Sequence, residues 1–424
     1  MIAQIGNKLR AQIHYFSGKL SSGLCKSARR FVEEMILGIQ ARGSVRLSEI
    51  GRSLEEPIEL KKIVERLSRN LNRDGLRESI SEGVLGEGSK KIEQDSLLIV
   101  DTSDLIKKYA TKMEYLAEVR DGSEKKIGNG YWTCQVVGVE CGEPEIVPLY
   151  HVLYSQDAPD FISENNELLK AMRVVSEAAE GRGIFVLDRG GDRDAIYKEL
   201  VPPEAGLRFI IRQRGDRHVL YWGKAIEVLS LAQQCKTPYL EVVLKEEHGK
   251  EKKYFITFGF LPVRLAQYPD VQLWLVVIKG FGHTPLMLLT NLPMRKKRDV
   301  LWWVVEAYIT RWRVEDTIRF IKQSYQEEDV RVMSYERLRN MASLVLAASF
   351  FAAVYLGQRA KLEILGYHVL RAAKRIFGIP DFRYYALADG IKTILTKAGK
   401  GVLYPRCGDP PEAQLSLFPL EILG

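Results

Sequence analysis

The sequence predicts an α/β fold: a mixed sheet with helices packed against it, interrupted by a β-rich insertion and flanked by helical regions at both ends. Three observations predict it. Apolar residues recur at helical spacing through residues 1–92 and again from about 327 onward. Between them, short runs rich in β-branched and aromatic residues alternate with helical stretches in the order βββαβαβ. Over residues 215–283 that alternation gives way to strand-like segments separated by charged turns.

The N-terminal region reads as helices. "SARRFVEEMILGIQARG" (27–43) is amphipathic and ends on glycine. "RLSEIGRSL" (46–54) and "PIELKKIVERLSRNLNR" (57–73) follow after a short break, and the second is basic. Such a pair suits a helix-turn-helix, with Lys61, Lys62, Arg66 and Arg69 available to phosphates, or equally a plain bundle with a solvated basic face. From residue 93 to 214 the core begins. "SLLIVDTSD" is an apolar run ending in acid. "YWTCQVVGVE" and "EIVPLYHVLY" are strands, and "NNELLKAMRVVSEAAEG" is a helix. "GIFVLDRGGDRDAIYKEL" is strand, turn and helix, and "LRFIIRQRGDRHVL" is a further strand. After the 215–283 insertion, "LMLLTNLP" returns to the sheet and residues 296–325 read as a long helix, completing the core at 326. Residues 327–424 are helical with an irregular tail, a candidate dimerisation region. The apolar stretch 341–357 is short for a membrane span and holds two serines, so it reads as a buried helix.

Composition narrows the function. The chain has 424 residues, 46% hydrophobic and 27% charged, enough to bury a real core. Its net charge of +8 favours a polyanionic partner, nucleic acid first. Five scattered cysteines without a CxxC pair argue against a disulfide framework and for a reducing compartment. Six histidines without ligand spacing argue against structural zinc. The first twenty residues hold no continuous apolar segment of the signal-peptide kind, so a cytoplasmic location is expected.

Three acids form the candidate chemical site. Asp101 follows "LLIV" and Asp188 follows "IFVL", and ligand sites in α/β sheets lie at such strand ends. The third, Glu315, lies within "YITRWRVEDTIRFIKQ" (308–323), among cations. At roughly 100° per residue, Arg311, Glu315 and Lys322 fall within about 60° of Tyr308, with Arg319 near the same stripe, whereas Asp316 points about 100° away from Glu315. Three carboxylates with no histidine or cysteine cluster are hard oxygen donors and favour Mg²⁺ or Mn²⁺. Two such ions can activate an attacking oxygen and stabilise a leaving one in phosphoryl transfer. The residues thus point to a metal-dependent phosphodiester enzyme on a basic protein.

The pattern Tyr308-x2-Arg311-x3-Glu315-x6-Lys322 resembles the YREK signature of the DDE transposases of bacterial cut-and-paste insertion elements, the branch of the insertion-sequence-four type. "VDTSD" around Asp101 and "VLDRGGDRD" around Asp188 resemble the segments that carry that family's first and second aspartates. The resemblance covers roughly residues 96–325. It implies an RNase H-like catalytic core with Asp101, Asp188 and Glu315 as the metal triad, two ions per site. It further implies hydrolytic nicking at element ends, strand transfer into target DNA, and synapsis by a homodimer. Tyr308, Arg311 and Lys322, with Arg319 beside them, are then expected at the scissile DNA. Trp312 stacks on an end base or packs in the core. Arg212, Arg214 and Arg217 contact the DNA backbone or decorate a solvated hairpin. Trp274 accepts a flipped base or, as its apolar strand favours, is buried. A structure-selective nuclease on the same fold and a non-cleaving DNA-binding regulator are the rival readings.

Overall fold

The computed structural model describes residues 2–399 except 121, 123–125, 144, 248–249, 358–360, 362–363 and 365–382. Within its elements, the side chains at 2–3, 245–247, 250–251, 313, 316–322 and 383–386 are also outside the description. Five helices come first: α1 (Ile2–Leu20), α2 (Lys26–Arg42), α3 (Leu47–Ser53), α4 (Leu60–Asn70) and α5 (Leu76–Gly88). Gly43 stops α2 in the left-handed region, at φ 57°, and its N–H bonds Ile39 O. Gly38 lets α2 and α3 touch: a Cβ there would lie 2.4 Å from Ile50 Cγ2. α4 turns Ile63 and Leu67 inward and leaves Lys61, Lys62 and Arg69 exposed. The α3–α4 connection, 54–59, is longer than the roughly 3–4-residue turn of a helix-turn-helix.

The sheet follows. β1 (Leu97–Ile106), β2 (Ala117–Arg120), β3 (Ile127–Val139) and β4 (Ile146–Tyr154) lead to α6 (Glu164–Ala178), β5 (Ile184–Leu187), α7 (Asp194–Leu200) and β6 (Arg208–Arg212). Apart from the short β2, this is the βββαβαβ order read from the sequence. β3 pairs antiparallel with β1 and β4, whereas β5 and β6 run parallel to β1. Ser163 caps α6 by accepting from the Asn166 N–H.

β7 (His218–Tyr221), β8 (Lys224–Glu227), α8 (Val228–Gln234), β9 (Tyr239–Glu247), β10 (Lys250–Leu265) and β11 (Tyr268–Lys279) make up the β-rich block, before β12 (Leu286–Thr290). The backbone order is β2-β3-β1-β5-β6-β12-β11-β10-β7-β8, with β4 on β3 and β9 on β10. The block therefore continues the core's sheet through β12, which pairs antiparallel with β6. Its segments read as strands from their own composition, but no local signal says which sheet they join.

Two strand boundaries differ from the sequence reading. The expected strand "LRFIIRQRGDRHVL" divides into β6 and β7, because residues 213–217 turn away to bond the loop after β5. β1 does not end at Asp101 but runs on to Ile106, held in continuous register by β3 from Leu97↔Val139 to Ile106↔Gly130.

Strand residues alternate between two cores. Ile99, Val186 and Ile210 face one, with α9 (Arg298–Tyr325), α10 (Tyr335–Phe350) and the N-terminal helices. Val100, Leu187 and Ile211 face the other, with α6, α7 and α8. α10 continues through the π-helical turn Phe351–Tyr355, and α11 (Arg383–Ala398) is the last described element. Tyr335–Tyr355 is the one described helix long and apolar enough to cross a membrane, and most of it is buried inside the protein. Cys407 and the irregular tail lie outside the described residues.

Candidate active site

The parallel register of β1 and β5 sets the two aspartates side by side. Leu97, Leu98 and Ile99 lie opposite Ile184, Phe185 and Val186. Carried two residues past its last pair, the same register sets Asp101 level with Asp188. Asp188 is one step past β5 and still extended, at φ −77° and ψ −166°. Neighbouring strands lie about 4.8 Å apart. By alternation both acids continue the Ile99 and Val186 series, on the face covered by α9. Asp101 is thus placed by the point where its neighbour stops rather than by the end of its own strand.

Asp188 is exposed, and its Oδ1 accepts the Gly190 N–H at 2.6 Å. The glycines make that turn possible: a Cβ on Gly190 would lie 2.8 Å from Asp188 Oδ1, and one on Gly191 2.5 Å from Leu187 Cβ. Asp101 is half-buried, directly opposite Gln135 of β3. Its charge is felt by Cys134, whose thiol is pushed far up by burial and further by Asp101.

α9 brings the third acid over this face. Glu315 is half-exposed and accepts a charge-assisted bond from Arg311, one turn earlier on α9. Arg311 is buried, at 3% exposure, with its guanidinium 4.9 Å above the Tyr308 ring. Burial pushes Arg311 down, but Tyr308, Glu315 and Asp188 outweigh it and the net shift is upward. One cation thus lies within electrostatic reach of both Glu315 and Asp188. Tyr308 is fully buried, and its hydroxyl has no hydrogen-bond partner among the described residues. Tyr308 and Arg311 therefore underlie Glu315 rather than project into solvent.

Trp312 is half-buried in an aromatic chain: its ring lies 5.5 Å from Tyr308 and 5.1 Å from Phe281, which lies 5.5 Å from Tyr254 of β10. Trp274 is half-buried, edge-on to Phe260 at 5.5 Å. Arg319 and Lys322 lie further along α9, with side chains outside the description.

Three oxygen-donor carboxylates on one face suit Mg²⁺ or Mn²⁺ in kind. Among the described residues, however, no three His, Cys, Asp or Glu side chains converge closely enough to hold one ion. In this conformation Glu315 is engaged by Arg311.

One acid that carries no signal of its own in the sequence braces the site from beside it. Asp192 is 4% exposed and accepts from Tyr197 Oη at 3.2 Å, the Arg214 N–H at 2.9 Å and Arg217 Nε. Arg217 also donates to Asp194 at 2.8 Å and lies 4.8 Å over the Tyr197 ring, while Gln213 donates to Tyr197 Oη at 2.7 Å. This network ties the loop after β6 to the turn that holds Asp188. Arg217 is consequently committed to two carboxylates. Arg214 is exposed and its Nε donates to Arg189 O at 3.3 Å, and Arg212 is half-buried at the end of β6. Only a pattern spanning residues 192–217 could have revealed the network from sequence. In the N-terminal region Arg66 is likewise committed, to Glu56 at 2.7 Å and Glu34 at 3.2 Å. Exposed Lys62 lies 3.4 Å from Glu59.

Residues 163–351 match the family model described as the transposase DDE domain, a span that holds Asp188 and Glu315 but not Asp101. The match supports a DDE transposase. No curated protein matches the chain. Among solved structures, one of the piggyBac transposase synaptic complex with hairpin DNA resembles it, with a TM-score of 0.45 and 12% identity over 93% of this chain and 82% of that one.

Proposed function

We propose that this protein is a cut-and-paste transposase of the YREK branch, built on an RNase H-like core with a β-rich insertion. It binds the terminal inverted repeats of its element as a homodimer in the cytoplasm, nicks DNA by hydrolysis and joins the ends to target DNA. The observation that supports the reading is the parallel register of β1 and β5, which carried two residues on sets Asp101 level with Asp188 on the face covered by the helix that bears Glu315. Asp101, Asp188 and Glu315 would hold the Mg²⁺ or Mn²⁺ ions. When bound, such ions supply Lewis acidity at the attacking and leaving oxygens of phosphoryl transfer.

The chain's own residues supply position. Gly190 and Gly191 fold the turn that aims Asp188. Arg311, stacked on Tyr308, orients the Glu315 carboxylate. Lys322, Arg319, Arg212 and Arg214 are the cations assigned to DNA phosphates near the site, and Lys61, Lys62 and Arg69 those assigned to end recognition. Arg66 and Arg217, already ion-paired, serve the frame instead.

The test is a duplex carrying the DNA that flanks the gene, incubated with a supercoiled target plasmid in Mg²⁺ and in Mn²⁺. The reading expects cleavage at the inverted repeat followed by joining, both lost in Glu315→Gln. Cutting without joining would point to a nuclease, and binding without cutting to a regulator.

A further inference from the structure

The turn after α9 carries more polar anchorage than a turn between two helices needs. Lys107, immediately after β1, is only 5% exposed, and lysine is almost never so buried unless paired. Its ammonium donates to two backbone carbonyls of this turn, Glu328 O and Val330 O, the second at 2.9 Å. From β4, His151 Nε2 meets Glu327 Oε1 at 2.7 Å, and both side chains are buried. From the N-terminal region, Arg46 donates to Asp329 at 2.6 Å, and Gln40 to the hydroxyl of Tyr325 at 3.2 Å. Gln326 adopts φ 51°, a conformation that non-glycine residues keep only where the surroundings hold them there.

One of these anchors, Lys107, directly follows the strand that carries Asp101, and the turn it holds directly follows the helix that carries Glu315. Asp101 precedes Lys107 by six residues of β1, about 20 Å of strand. Glu315 precedes the end of α9 by ten residues, about 15 Å of helix, and the turn adds the remainder. β1 and the second half of α9 are therefore two arms of similar length, joined at one end through Lys107. At the far ends of the two arms are Asp101 and Glu315. Holding the joint sets how far along the strand the glutamate sits.

We propose that the 326–330 turn is a clamp that sets Glu315 level with Asp101, with Lys107 and His151 as its positioning residues. The clamp rests on the transposase reading for its purpose, but its mechanics can be tested without it. Neither residue touches the acids, and both act through the end of α9. Burial draws Lys107 down to about 8 against the opposing charges of Glu327, Glu328 and Asp329, in keeping with an ammonium held inside for its two carbonyls.

Hydrogen exchange on full-length Lys107→Met and His151→Phe proteins is the first measurement. The clamp expects amides of 313–330 to exchange on the order of tenfold faster, while the N-terminal helices and β5 keep their protection. Single-turnover cleavage of end DNA is the second. It expects the rate to fall about tenfold with DNA affinity unchanged, and half-saturation by Mn²⁺ to move to higher concentration. Should either variant fail to fold, Glu327→Gln, which keeps a hydrogen-bonding group opposite His151, is measured in the same way. Unchanged exchange over 313–325, or faster exchange confined to 326–330, would overturn the clamp. A wild-type protein that neither binds Mn²⁺ nor cuts would instead overturn the transposase reading and leave the exchange result to judge the clamp alone.

Discussion

The two ends of the short turn after β5 carry aspartates in opposite circumstances. Asp188 is exposed and takes one backbone N–H, so its other oxygen remains available to a ligand. Asp192, four residues later, is buried and accepts from a tyrosine hydroxyl, a backbone N–H and a guanidinium. In sequence the two look alike, each followed by arginine in "DRGGDRD". What separates them is saturation. A carboxylate whose lone pairs are filled by protein donors holds the fold together, and one left open can hold something else.

The strongest way to break this contrast is to neutralise an acid of each kind. Asp188→Asn and Glu315→Gln should raise the barrier to divalent-dependent cleavage by several kcal/mol, slowing it roughly 10³-fold. Asp188→Asn should leave the urea midpoint close to wild type, whereas Glu315→Gln, which leaves buried Arg311 facing a neutral amide, should also lower it. Cleavage of an end-bearing duplex at the wild-type rate by either variant would remove that residue from the site. Asp192→Asn should do the reverse in kind. It strands Arg217, whose remaining partner Asp194 is mostly exposed, and should cost about 3 kcal/mol in urea unfolding. Any loss of cleavage should then follow the folded fraction. If Asp192→Asn leaves stability untouched and abolishes cleavage, the roles of the two aspartates are exchanged.

The contrast also explains which features are legible in the sequence. Asp188 and Glu315 are legible because their signals are local: an acid closing a four-residue apolar run, and a helical stripe around Tyr308 and Arg311. The succession of strands and helices along the chain through β6 is legible for the same reason. Asp101 stands out in the sequence, but for a strand end that is not there; its true marker is the register with β5, which depends on pairing across more than eighty residues of chain. The Asp192 network joins residues from two loops, and the anchors of the α9 turn come from residues 40, 46, 107 and 151. No window of sequence holds such partners together. The polar stripe on α9 reads in sequence as facing DNA, yet Tyr308 and Arg311 are buried beneath the glutamate, because the apolar half of α9 carries them into the core.

The same distinction divides the cations of α4 and sharpens the comparison at a smaller scale. Lys61, Lys62 and Arg69 are exposed, whereas Arg66 is bound to Glu34 and Glu56. If these exposed groups meet phosphate, replacing all three by alanine should weaken binding to end DNA and flatten its dependence on salt, by about 0.9 in the log–log slope for each phosphate no longer neutralised. Thermal stability should hardly move, since surface changes of this kind are usually within about 0.5 kcal/mol. An unchanged salt slope, measured by anisotropy across a salt series, would take α4 out of the DNA interface.

Arg66 should show the opposite pattern, and its effect is the smallest. The hydrogen bond from Arg66 holds the Glu56 carboxyl below its ordinary range against a modest desolvation, with the charges of Arg66 and Arg30 adding to it. A carboxyl depressed in the folded state contributes stability above its unfolded pKa, about 4.3, and that contribution is lost as pH falls through the lower folded value. The pair is partly open to water, so solvent screening limits it to about 0.5 kcal/mol. Arg66→Met should therefore lower stability slightly at neutral pH and reduce the further loss on acidification below about pH 4.3, because the variant has less of this linkage left to lose. Its salt slope for end DNA should match wild type, since an arginine already committed to two glutamates releases no counterions from phosphate. Urea unfolding at pH 7 and pH 3.5, with anisotropy at several salt concentrations, checks both halves. A flattened salt slope in Arg66→Met would show that the pair opens on DNA, and saturation by protein partners would then no longer separate frame from function on this helix.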